Sequence, residues 1–137
     1  EEFFARGIAE VMAEAREIVG DRPAYLSYDI DFVDPSVAPG TGTPEPGGLS
    51  ARQLLDAVRR ICLELPVCGM DVVEVSPPYD HADITASLAN RVVLEALSAI
   101  ARKRRDARDG TRWDPALPLL ADRRPVEDHR GVSPEHR

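Results

Sequence analysis

Lysine, cysteine and histidine are all scarce in this 137-residue chain, which has Lys103 alone, Cys62 and Cys68, and three histidines at positions 81, 129 and 136. No second Cys/His pair stands at zinc-site spacing, which excludes a thiolate zinc site. Both cysteines lie in apolar stretches and are expected as buried thiols. No apolar run approaches the roughly 18–20 residues of a membrane span, and no basic-then-apolar signal segment opens the sequence. A membrane partner is therefore not expected, and a reducing, cytoplasmic setting is the default. Basic charge is scarce as well: residues 1–100 hold seven basic against seventeen acidic side chains, while residues 101–137 hold ten against seven, for a net charge of −7. An acidic folded part disfavours nucleic acid as a partner. An initiator methionine is also missing, since the chain opens on Glu1-Glu2-Phe3 and enters a helical pattern at once. A further N-terminal portion is expected.

Phe4, Ile8, Val11, Met12, Ala15, Ile18 and Val19 recur at helical spacing and predict one amphipathic helix over about 3–19 with a buried stripe, ended by Gly20-Asp21-Arg22-Pro23. Residues 24–31 alternate apolar and polar and predict a strand on which Ser27, Asp29 and Asp31 share a face. Residues 34–48 contain four prolines and four glycines and predict a long ordered loop, of the kind that in compact domains tends to be functional. Ser50 and Gln53 form a capping box, with Leu49 and Leu54 at staple positions, and open a helix that closes at Pro66. The valine-rich run 67–75 predicts a buried strand bearing Glu74 near its C-terminal end. Asp83 is the candidate cap of a last helix whose apolar face comprises Leu88, Val92, Val93, Ala96, Leu97 and Ile100, ending in the basic cluster 102–105. Residues 1–105 are expected to form one α/β unit. Residues 106–137 are expected to be a mobile tail in which Trp113 and residues 117–120 dock locally. The order helix, strand, helix, strand, helix predicts a mainly parallel sheet with helical crossovers, and two strands are too few to complete one.

The chemistry concentrates in Ser27-Tyr28-Asp29-Ile30-Asp31-Phe32-Val33-Asp34-Pro35. Carboxylates two residues apart on a strand project from one face about 6–7 Å apart at the backbone, so both can converge on one pair of cations. Hard oxygen ligands suit manganese or magnesium, and a binuclear site lowers the pKa of a bridging water towards neutrality. The C-terminal end of a parallel strand is also where α/β sheets bind ligands. Taken alone, Asp-x-Asp fits a solvated strand end equally well. Glu74 alone would fit a structural ion pair. Asp34 before Pro35 is expected to organise the loop, Asp80 and Asp83 to serve as loop and cap residues, and His81 to lie at the surface.

The context is more specific. Ser27-x-Asp29-x-Asp31-x-x-Asp34-Pro35, then Pro39-Gly40-Thr41-Gly42-Thr43-Pro44 and Gly47-Gly48, resembles a signature of the ureohydrolase (arginase/agmatinase) family. Gly69-Met70-Asp71-Val72-Val73-Glu74-Val75-Ser76-Pro77 resembles that family's next segment, and Tyr79-Asp80 through Asp83-Ile84-Thr85-Ala86 looks like its agmatinase branch. The resemblance runs from about residue 24 to residue 100. It implies a three-layer α-β-α fold with a mainly parallel sheet, of which this chain holds the C-terminal part. It further implies two manganese ions, with Asp29 bridging them and Asp31 a ligand of one, and Glu74 receiving the guanidinium of a linear guanidino substrate, agmatine or a guanidino acid. Thr43 resembles a residue near that guanidinium, although a turn hydroxyl capping its own loop has the same sequence pattern. The implied reaction is attack of a metal-bridging hydroxide on the guanidinium carbon, releasing urea and an amine. The family's Gly-Gly-Asp-His and Asp-Ala-His-x-Asp segments do not occur here, so the remaining ligands are expected upstream, and the fragment alone is expected to be inactive. The family also implies a homo-oligomer.

Two other readings fit parts of the pattern. Asp29-Ile30-Asp31-Phe32-Val33 after a hydrophobic strand also matches the start of a haloacid-dehalogenase-like phosphatase, which would need Lys103 to hold a phosphoryl group. A non-catalytic truncated paralogue that pairs with a complete subunit would keep the fold and release no urea.

Overall fold

The computed structural model describes residues 2–111. The tail beyond, with Trp113 and residues 117–120, lies outside the described residues. The first helical stretch is two helices, α1 (Glu2–Arg6) and α2 (Ile8–Val19), because Gly7 between them takes φ 77°, a conformation open to a residue without Cβ. Arg6 spans the break by pairing with Glu10 and Glu14, each at 2.7 Å. Of the expected stripe only Met12 is fully buried, while Phe4 and Ile18 are exposed.

β1 (Ala24–Asp29) and β2 (Val67–Val73) pair in parallel, as the order of elements predicted, and the crossover between them is α3 (Ala51–Glu64). The register sets Leu26 against Met70 and Tyr28 against Val72, and Tyr28 is buried in the core where Leu26, Met70 and Val72 pack against it. On the other face Tyr25 stands opposite Gly69, Ser27 opposite Asp71, and Asp29 opposite Val73. Gly69 leaves room for the Tyr25 ring, whose hydroxyl reaches Asp71 at 3.2 Å. The register shifts between Ala24 and Tyr25, and Cys68, the extra residue there, is turned outwards. Cys68 is thus exposed, against expectation, while Cys62 is buried and its thiol is pushed up to about 11 by that burial, with Lys103 opposing.

The capping box at α3 forms as expected: Ser50 Oγ accepts from the Gln53 amide, and the Gln53 side chain accepts from the Ser50 amide at 3.0 Å. Leu54, Val58 and Cys62 give α3 its buried face, and Val92, Ala96 and Ala99 answer from α4 (Ile84–Arg108), which runs three residues past the expected end. Burying each such Val or Leu contributes about 1.5–3 kcal/mol. Val93 and Leu97, expected on the buried face, are exposed. By length and composition alone α4 could cross a membrane, yet its Glu95 is buried in an ion pair with Arg59 of α3 and joined by Arg91, which marks a helix packed within an α/β layer. Glu64 of α3, its side chain likewise buried, ties α2 to α3 through Arg16 at 2.9 Å and pairs within its own helix with Arg60 at 2.8 Å.

Candidate functional site at the strand ends

Both strands end where the candidate site residues lie. β1 stops at Asp29, and residues Ile30–Phe32 form a single 3-10 turn, so Asp31 is not on the strand as expected. The cause is local: Asp29 accepts the Asp31 amide on its own carboxylate at 2.9 Å, a side-chain-to-backbone bond that replaces the next ladder position. Ile30 and Val33 are fully buried around this turn, which fixes it to the core. β2 likewise stops at Val73, so Glu74 follows the strand instead of ending it, at φ 63°, a region that few non-glycine residues occupy. Since Asp29 is paired with Val73, Glu74 emerges beside Asp29 on the adjacent strand, with its side chain exposed. A left-handed residue at such a place is a form of strain often found where a side chain must be aimed at a ligand.

The glycine-rich loop is ordered by Asp34, whose two carboxylate oxygens accept the amides of Ser36 and Gly47, each at 2.9 Å. The Ser36 hydroxyl and these amides hold the Asp34 carboxyl below the usual range against a smaller opposing effect of burial. The loop closes at its base, where Leu49 N–H donates to Phe32 O at 3.1 Å and Asp34 N–H donates to Leu49 O at 3.0 Å. Its tip brings Thr43 back to the strand end, where the hydroxyl donates to Asp31 Oδ2. Thr43 therefore neither caps its own loop nor stands apart from the carboxylates. Asp31 Oδ1 is buried and has no donor. A buried carboxylate oxygen without a donor is costly in a finished protein, and its chemistry suits a divalent cation.

Asp80, and not Asp83, caps α4: its oxygens accept the amides of Thr85 at 3.0 Å and Ala86 at 2.9 Å, while Asp83 sits at the helix start in a left-handed conformation with no side-chain cap. His81 is exposed, as expected. Among the described residues no group of three or more His, Cys, Asp or Glu side chains could hold a metal ion. Asp29 and Asp31 thus offer hard oxygen donors of the kind a divalent cation takes, and among the described residues His81 is the single histidine. Gly40, Thr41 and Thr85, which the sequence reading gave no separate role, are all buried, and Gly40 meets Thr85 at the start of α4.

A parallel strand pair with a helical crossover and carboxylates at the C-terminal strand ends defines an α/β protein, and those ends are where such sheets bind ligands. Comparison with known proteins is more particular: the profile of the arginase family matches residues 1–99, and the chain belongs to that family. The agmatinase of Salmonella newport is 48% identical over 99 residues, 72% of this chain and 32% of that protein. Proclavaminate amidino hydrolase from Streptomyces clavuligerus superposes with a TM-score of 0.69 at 49% identity, covering 74% of this chain and 34% of the other. A hypothetical agmatinase from Burkholderia thailandensis superposes at 0.67 and 44% identity, covering 77% and 33%. The chain spans about a third of the length of these relatives. Family membership removes the phosphatase reading. Lys103 agrees, because it donates to Leu65 O at 2.8 Å, before β2 begins and at the opposite end of the sheet from Asp29.

Proposed function

We propose that this chain carries part of the active centre of an agmatinase-like ureohydrolase, which in the intact protein hydrolyses a linear guanidino compound, agmatine or a guanidino acid, to urea and an amine. The observation that carries the reading is the placement of Asp29, Asp31 and Glu74 at the C-terminal ends of two paired strands, in a chain 48% identical to agmatinase over this region. Asp29 and Asp31 are the manganese ligands that this chain contributes, with the partners completing the set elsewhere in the intact protein. The donor-less Asp31 Oδ1 supports that role, and the Thr43 hydroxyl on Oδ2 holds the carboxylate in one orientation. Bound there, two manganese ions would lower the pKa of water and provide the nucleophile at neutral pH. Glu74 receives the substrate, because a planar guanidinium pairs with a carboxylate through two parallel N–H···O bonds, which fixes its carbon in place and its plane in orientation. The acidic balance of residues 1–100 favours a cationic substrate over an anionic one.

The test is urea release from a panel of guanidino compounds by the intact manganese-loaded protein, with metal content measured in parallel. Asp29→Ala and Asp31→Ala should lose manganese together with activity. Glu74→Ala should keep manganese and lose turnover by 10²-fold or more. Unchanged metal in the aspartate variants would remove the ligand assignment, and near-normal kinetics in Glu74→Ala would remove the guanidinium role. An intact protein that binds no manganese and releases no urea would be the non-catalytic partner subunit.

A further inference from the structure

Two segments leave the strand ends separately, the glycine-rich loop that carries Thr43 and the segment that carries Glu74, and their spacing sets where a guanidinium would lie relative to Asp31. They meet at Gly40. Its carbonyl accepts the Ser76 amide at 2.8 Å, two residues after Glu74, and its own amide donates to Thr85 Oγ1 at 2.7 Å. Thr85 is fully buried at the start of α4. Its hydroxyl also faces the Asp80 carboxylate, whose pKa burial tends to raise but which the amides of Ala86, Thr85 and His81 and the Thr85 hydroxyl together hold below the usual range. Thr85 thus accepts the loop's amide on its hydroxyl and gives its own amide to Asp80, the cap of the helix, at 3.0 Å. The contact leaves no slack, since a Cβ added at Gly40 would lie 2.5 Å from Asp80 Cβ and 2.8 Å from Asp80 Cα.

We propose that Thr85 is a positioning residue: its buried hydroxyl, acting through the Gly40 backbone, fixes the spacing between the loop bearing Thr43 and the segment bearing Glu74. Its bearing on catalysis rests on the ureohydrolase reading, whereas the latch itself does not. Thr85→Val keeps the shape and removes the hydroxyl, leaving the Gly40 amide a buried donor without an acceptor. A misplacement of about 1 Å between reacting groups can cost 10²-fold in rate. Glu74 and Asp31 remain present in the variant, so the expected loss is in the rate step and not in metal binding.

In the intact protein, assayed well below each variant's melting temperature, Thr85→Val should lower kcat about tenfold or more with manganese content unchanged. Thr85→Ser, which restores the hydroxyl, should stay within about threefold of the parent. Hydrogen exchange of amides 40–43 and 76–79 should be faster in Thr85→Val and parental in Thr85→Ser. A Thr85→Val protein that melts earlier yet keeps its kcat and its amide protection would overturn the proposal. If Thr85→Val does not fold, Asp80→Asn weakens the same latch, and unchanged kcat and exchange there would overturn it equally. If the parent releases no urea from any guanidino compound, the ureohydrolase reading falls, and the exchange comparison alone decides the latch.

Discussion

Gly48 is the position at which a single methyl group should do the most damage to the candidate site. A Cβ there would lie 2.4 Å from Phe32 O, 2.6 Å from Asp34 N and 2.7 Å from Val33 C, all backbone atoms that no side-chain rotation can move aside. Gly48→Ala must therefore push residue 48 away from the chain it rests on, and the two bonds closing the base of the loop, at 3.1 and 3.0 Å, both run through the next residue, Leu49. Overpacking of this kind costs about 1–3 kcal/mol, and weakening two backbone hydrogen bonds adds about 1 kcal/mol for the pair. A total near 3 kcal/mol corresponds to a fall in Tm of roughly 6 °C for a large domain. The same displacement moves the loop that returns Thr43 to Asp31, so manganese affinity should fall with Tm. Differential scanning calorimetry of the intact protein, with and without added manganese, reads both. A Tm within about 1 °C of the parent and unchanged metal affinity would show that the loop base tolerates the methyl group, and that the close contacts at Gly48 do not control the site.

Arg59 and Arg91 both pair with buried Glu95, but their exposures differ, 34% against 53%. Arg59→Met should cost roughly 2 kcal/mol by leaving a buried carboxylate with only an exposed partner, whereas Arg91→Met should cost under about 0.5 kcal/mol, as exposed i, i+4 pairs do; equal shifts in urea denaturation midpoint would refute the ranking. Asp34 is expected to contribute acid lability. Its folded pKa is depressed below the ordinary 3.8, so its stabilisation is complete above that value and is lost as pH falls through the folded pKa. Asp34→Asn should flatten the acid limb of a Tm-against-pH curve, and an unaltered limb would show that the Ser36 and Gly47 donors do not distinguish the charged carboxylate.

The features legible in the sequence were those written within a few residues or within one period. The Ser50 capping box spans three residues, and its donors and acceptors belong to neighbouring turns, so its pattern and its structure coincide. The parallel pairing of β1 and β2 followed from a helical crossover between two apolar runs, because that connection admits little else. Helix α2 was misjudged at Gly7, where a residue compatible with a continuous helix takes a positive φ instead, and periodicity cannot register that choice. Asp83 was the better cap by position, yet Asp80 reaches the α4 amides from further back, since the preceding 3-10 turn Pro77–Tyr79 aims it there.

The strand end shows most clearly where the geometry departs from the expected alternation. Period-two alternation put Asp29 and Asp31 on one strand face. The strand in fact ends at Asp29 because that side chain takes the Asp31 amide for itself, and the ensuing turn leaves one Asp31 oxygen to Thr43 and the other without a donor. Nothing in a local window specifies the Thr43 partnership, which spans 12 residues, or the Gly40 bond to Thr85, which spans 45. The Gly40 bond depends on the loop resting against the start of α4, where a glycine without a side chain meets a threonine buried under a helix cap. A loop seated this way hides in the sequence the residues that seat it, so substitutions at Gly40, Gly48 and Thr85 should perturb the candidate site as surely as substitutions at its carboxylates.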